Sequence, residues 1–208
     1  MFDLSEKCAL ITGASGGIGG AIARAFHAGG ARVGLSGTRI DALEGLAKDL
    51  GDGAYSLPAD LSSSDATEGL IKDAEAAMGG IDILINNAGI SQSHNFSEIK
   101  SEDWQHILDV NLTGIFHVAQ EASHRMIDAG SGVILNMGSS NALIGMPHYA
   151  AYNASKAGVV ALTQTMALEL APKVRVNAVC PGYVLTPMQQ AEYTPSEMEA
   201  LNSKVPLG

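Results

Sequence analysis

Two side chains four residues apart, Tyr152 and Lys156 in the stretch YNASK, could together move a proton. A phenol titrates near 10 and is by itself a poor acid or base at neutral pH. An ammonium one helical turn away lies on the same helix face. Lowering a pKa by three units takes about 4 kcal/mol, which is about what one charge supplies at ~4 Å and an effective dielectric near 20. The spacing therefore predicts a tyrosine acidified by its lysine. Thirteen residues before the tyrosine, Ser139 follows the apolar run GVILNM and offers a hydroxyl to a substrate oxygen on which charge develops.

A second segment could hold the partner of such a reaction. ALITGASGGIGGAIARAF passes from an apolar run to a helical pattern through Gly13, Gly16, Gly17 and Gly19, with Ser15 and Ile18 between them. Without side chains there, the backbone can turn sharply and approach a pyrophosphate, whose charge then faces the free N–H groups and positive end of the next helix. The spacing is Gly-x-x-x-Gly-x-Gly, and it predicts a dinucleotide site. At the end of the next apolar run stand Ser36, Gly37, Thr38 and Arg39, without the acid that would bind a ribose 2′-hydroxyl. Arg39 can pair with a 2′-phosphate and Thr38 can donate a hydrogen bond, so NADP(H) is favoured while NAD(H) stays open. Arg39 can also be read as a solvated charge opening the next helix.

The elements that must position these residues alternate along the chain. KCALIT, ARVGLS, GAYSLP, IDILIN, GVILNM and VRVNAV are short aliphatic runs of the kind found in strands covered on both faces. Between them, residues 18–28, 40–50, 65–78, 104–129 and 151–170 repeat apolar side chains at helical spacing. This pattern predicts an α/β fold: one doubly wound parallel sheet in three α/β/α layers, built as a single domain over residues 1–208. Lys plus Arg number 12 against 22 Asp plus Glu, a formal charge of −10, which opposes nucleic acid and anionic membranes as partners. The acidic N-terminus has only a short apolar stretch, so a cytoplasmic location is expected. Cys8 and Cys180 read as reduced thiols, and the histidines lack metal-ligand spacing, so no metal is expected.

TGASGGIG, NNAG, VNLTG, NMGSS, YNASK and PGYVLT, in this order and spacing, resemble the short-chain dehydrogenase/reductase family over essentially the whole chain. The resemblance implies a Rossmann-type fold, nicotinamide-dependent hydride transfer on a small carbonyl or secondary-alcohol substrate, and a homotetramer. It places the catalytic quartet on Asn111, Ser139, Tyr152 and Lys156, with Asn111 holding a water that relays protons to Lys156. It puts Asp60 and Leu61 beside the adenine, and Asn87, Ala88 and Gly89 along a ribose. Tyr152 and Lys156 also face the cofactor, and Pro181, Gly182, Val184 and Thr186 border the nicotinamide. His148, Tyr149 and Met146 would border substrate, together with Met188, Tyr193 and Met198 from a mobile lid after Gly182.

The N-terminal third is most similar to bacterial 3-oxoacyl-(acyl-carrier-protein) reductases, which makes an acyl thioester the most specific substrate candidate. The stretches matching their docking arginines, RMIDAGSG and ELAPKVR, are poor in basic residues. Gly16 stands where many NADP-dependent relatives carry Arg or Lys. The chain also stops at NSKVPLG, short of the family's usual last helix and strand. VCPGYVLTPM is similar to dehydrogenases of sugars, polyols and small hydroxy acids, the alternative substrates. A non-catalytic, nucleotide-sensing binding protein is the alternative of another class.

Overall fold

The computed structural model describes residues 3–203 and 205, apart from the side chain of Met188. β1 (Cys8–Thr12) is buried along its whole length because it lies at the centre of the sheet. Around it, β2 (Arg32–Gly37), β3 (Ala54–Pro58), β4 (Ile83–Asn86), β5 (Gly132–Met137) and β6 (Val174–Val179) complete a six-stranded parallel sheet in the order β3-β2-β1-β4-β5-β6. Each strand shows its two faces to different helices, so neighbouring residues part company. Cys8 and Leu10 join a core with Leu70, Ile71, Val118 and Met126, whereas Ala9 and Ile11 join one with Ala23, Leu43 and Leu46. The first core is covered by α3 (Ser64–Met78) and α5 (Gly114–Ala129), the second by α1 (Gly17–Ala28) and α2 (Ile40–Leu50). The chain is a single Rossmann-type unit, as the alternating pattern predicts.

The strand order reverses between β1 and β4, and there the loops after both strands part and leave a crevice. Register fixes which loops meet: Thr12 pairs with Ser36, and Asn86 with Asn136, so the turns after β1, β2, β4 and β5 open on one edge of the sheet. A continuous helix was expected over 104–129. The structure divides that stretch into α4 (Ser101–Leu108), a π-type turn (Asp109–Thr113) and α5. The wider turn carries one extra residue, which turns Asn111 inward onto the backbone of Ile90. After the long α6 (Ala150–Glu169) and β6, the expected lid is two short helices, α7 (Pro187–Glu192) and α8 (Pro195–Asn202). Thr186 and Thr194 cap them, each followed by a proline whose missing N–H is not needed there.

Candidate active site

The glycine turn is shaped by the loop after β4. Thr12 Oγ1 accepts from the N–H groups of Asn87 and Ala88, both at 3.0 Å, and Asn87 Nδ2 donates to the carbonyls of Thr12 (3.0 Å) and Gly13 (3.2 Å). These bonds draw the two loops so close that a Cβ on Gly13, whose φ is +65°, would stand 2.8 Å from Ala88 Cα. A Cβ on Gly19 would overlap the Gly13 carbonyl. Gly16 caps α1 with no side chain bonding its first turn, so backbone N–H groups face the crevice. Such a cradle fits a dinucleotide pyrophosphate. Thr186 and Pro187 come within about 3.1 Å of a Cβ built on Gly17, bringing the start of α7 over the turn.

At the adenosine end Arg39 is tethered, since its guanidinium donates to the Ser15 carbonyl. The exposed side chain lies along the cleft lining, and its fork keeps other N–H groups for a ligand or for water. Thr38 and Leu61 line the same end beside Asp60. The Asp60 carboxylate accepts from the N–H and hydroxyl of Ser62, and these bonds, the backbone one foremost, hold its pKa below the usual carboxylate value.

The opposite end is assembled from side chains far apart in sequence. Lys156 is 3% exposed and donates to the Met137 carbonyl at 2.8 Å, which anchors α6 to the end of β5. Burial pushes its pKa down to about 8, opposed weakly by Cys180. The ammonium lies 5.8 Å from the centre of the Tyr152 ring. The acidified phenol expected from the sequence is not what the protein alone provides: burial raises the pKa of Tyr152, the Ser139 hydroxyl lowers it, and Glu192 raises it. Desolvation of the phenolate outweighs the hydrogen bond from Ser139. Ser139 Oγ accepts from the Asn141 N–H, and Asn141 and Asn153 clamp the following loop onto α6 through Asn153 Oδ1 and the Met146 carbonyl.

Asn111 does not reach the crevice surface. It is 0% exposed, with Oδ1 accepting from Ile90 N–H and Nδ2 donating to the Ile90 carbonyl, both at 2.8 Å, and to Ser155 Oγ at 3.2 Å. Both Nδ2 hydrogens are used, while Oδ1 keeps a second acceptor site. The side chain fixes the Gly89–Ile90 backbone, and a Cβ on Gly89 would crowd Asn111 Oδ1 and Lys156 Nζ at 3.3 and 3.4 Å.

One cleft of about 740 Å³ joins the two ends. It is lined by all the expected cofactor residues, from the glycine turn through Asn87, Ala88 and Gly89 to Pro181, Gly182, Val184 and Thr186, and by Ser139, Tyr149 and Tyr152. His148 is the correction. Its backbone is left-handed, with φ +70°, its carbonyl accepts from the His94 N–H, and the exposed residue lies outside the cleft lining. Met198 on α8 does not line the cleft either, and the side chain of Met188 lies outside the described part. Sequence reasoning missed Glu192 and the Asn141–Asn153 clamp. The Thr-Pro pairs at 186–187 and 194–195, with Glu197 completing a capping box, were the available signal for the helices that bring Glu192 in.

The sequence matches the family described as short chain dehydrogenase over residues 7–197. Among curated proteins it is 42% identical over 207 residues to nodulation protein G of Rhizobium sp. (strain N33), covering 99% of this chain and 84% of that protein. It is 38% identical over 209 residues to the 3-oxoacyl-[acyl-carrier-protein] reductase FabG of Rickettsia bellii, covering 100% and 85%. A crystal structure of a short-chain type dehydrogenase/reductase from Mycobacterium marinum superposes with a TM-score of 0.93 at 39% identity, over 100% of this chain and 84% of that one.

Proposed function

The chain belongs to the short-chain dehydrogenase family, oxidoreductases of carbonyl and CH–OH groups, and on that footing we propose that it moves hydride reversibly between NADP(H) and a ketone or secondary alcohol. The observation that carries the reading is the single cleft running from the glycine turn to Tyr152. The nicotinamide, when bound, supplies or accepts the hydride. Tyr152 supplies the proton to the carbonyl oxygen. Its raised pKa keeps it protonated at neutral pH, the form an acid needs in the reducing direction. Ser139 donates its hydroxyl hydrogen to the same substrate oxygen while Asn141 N–H holds its lone pair. Lys156, with a pKa of about 8, carries its charge at neutral pH beneath the tyrosine ring and can exchange a proton over the working range. Asn111 acts by positioning the Ile90 loop beside that lysine.

NADP(H) over NAD(H) rests on Arg39 and Thr38 at the end of β2 and on the absence of an acid there. A homotetramer follows from the family resemblance. The most specific substrate candidate is a 3-oxoacyl thioester, supported by the reductase-like N-terminal third and the Rickettsia relative. A second reading, a polyol or sugar, is favoured by the hydroxyls of Tyr149 and Tyr193 facing each other at the cleft mouth. Absorbance at 340 nm decides between them, with NADPH or NADH offered acetoacetyl thioesters and NADP or NAD offered polyols. Turnover of thioesters alone supports the first reading, and polyol oxidation alone supports the second. Absence of turnover in a protein that binds NADPH favours the nucleotide-sensing alternative.

A further inference from the structure

Charges in the cleft are distributed unevenly. Arg39, Asp60 and His106 line it at the adenosine side, the last two close enough to influence each other, and Lys156 lies buried beneath Tyr152. Among the described residues that line the cleft, Glu192 is the one acidic side chain at the substrate end and the one charge there that is open to solvent. It arrives from the C-terminal end of α7 and meets the N-terminus of α6: Tyr149 donates to Glu192 Oε2 at 3.3 Å, and the hydroxyls of Tyr149 and Tyr193 lie 3.0 Å apart. Tyr149 packs edge-on against Tyr152, with ring centres 6.5 Å apart, so one aromatic ring separates the carboxylate from the proton donor. Among the described residues the Glu192 carboxylate forms no ion pair. Burial is the main cause that raises the pKa of Tyr149 and Tyr152, and the Glu192 charge adds to both.

We infer that Glu192 is a specificity-determining residue that selects substrates uncharged near the reacting carbon and rejects those carrying a carboxylate there. This rests on the carbonyl-reductase reading and narrows it: neutral ketones, esters, thioesters and polyols pass, and small keto or hydroxy acids do not. The physical basis is like-charge repulsion at short range between a substrate carboxylate and Glu192, which is exposed at the cleft lining and therefore screened by salt. The Tyr149 hydroxyl, itself paired with that of Tyr193, donates to the carboxylate and orients it toward the cleft.

The test uses two ketones that differ chiefly in one charge, acetoacetate and its ethyl ester, with NADPH and NADH. In the wild-type chain kcat/KM for the ester exceeds that for the acid, and in Glu192→Gln the ratio falls about tenfold, equivalent to about 1.4 kcal/mol. Glu199→Gln on α8 removes an exposed acid of the same sign outside the cleft lining and leaves the ratio unchanged, which separates a local field from net charge. A ratio unaltered by Glu192→Gln, or altered equally by Glu199→Gln, overturns the assignment. Ligand-observed NMR of the two compounds competing for the NADPH-saturated protein gives a reading independent of turnover. Selective binding of the ester, lost in Glu192→Gln, supports the charge selection even if neither compound is reduced, and in that case the oxidoreductase reading alone falls. Equal binding of ester and acid by both proteins sinks the charge selection.

Discussion

The two ends of the cleft are built on opposite principles. At the glycine turn the site is made by leaving side chains out: Gly13 and Gly19 let two loops touch, and Thr12 and Asn87 lock them with backbone-directed hydrogen bonds. At the catalytic end the site is made by burying groups that would rather be in water, a nearly inaccessible ammonium and a largely desolvated phenol. The first end is stable because of its chemistry and the second in spite of it. Affinity for a nucleotide and the ability to transform a substrate should therefore separate on mutation.

The largest separation is expected at Tyr152. Tyr152→Phe removes the proton donor while keeping the ring, and turnover should fall by about a thousandfold or more, within the range assigned to positioned acids. Fluorescence titration should show NADPH affinity changed by no more than a few-fold. At the other end Gly19→Ala should do the reverse of a selective lesion. Its methyl overlaps the Gly13 carbonyl, so the turn must shift, with a loss of about 1–3 kcal/mol in urea unfolding and weakened NADPH binding.

Lys156→Met sharpens the contrast further, because activity should collapse while stability does not. Lys156 has a folded pKa of about 8 against 10.5 for a lysine in the unfolded chain, so the folded chain binds fewer protons than the unfolded one between those values. Wild-type stability should therefore rise as pH increases from about 8 toward 10.5, recovering a desolvation penalty of about 3 kcal/mol that is felt in full below that window. Denaturation at several pH values should show this rise in the wild type and its absence in the methionine variant. The smallest effect is expected at the adenosine end, where Arg39→Ala should lower the NADPH-to-NADH preference in kcat/KM about tenfold, as expected for one lost charge-assisted contact.

The same contrast explains how much could be read from the sequence. The glycine turn was legible because its requirement is local: a strand, a missing row of Cβ atoms and a helix start follow one another within a few residues. Tyr152, Lys156 and Ser139 were legible as types and spacing, and α6 and β5 bring them together. Their proton energetics were not, because the Tyr152 shift depends on burial in the folded chain and on the charge of Glu192 from α7, forty residues on. The break at Asn111 escaped for a related reason. Apolar spacing runs unbroken through 104–129, while the π-type turn coincides with the Asn111 side chain bonding both backbone groups of Ile90, a partner outside the stretch. His148 was expected at the cleft by its distance from Tyr152 along the chain, but a left-handed backbone at that position takes it elsewhere.

Hydride transfer can be followed directly with NADPH carrying deuterium at both C4 positions and a ketone that the wild-type protein turns over. The account predicts one deuterium on the carbinol carbon of the product by mass spectrometry, and no labelled product above background with Tyr152→Phe under the same NADPH saturation. Unlabelled alcohol from the wild-type protein, or full label transfer by the phenylalanine variant, would contradict it.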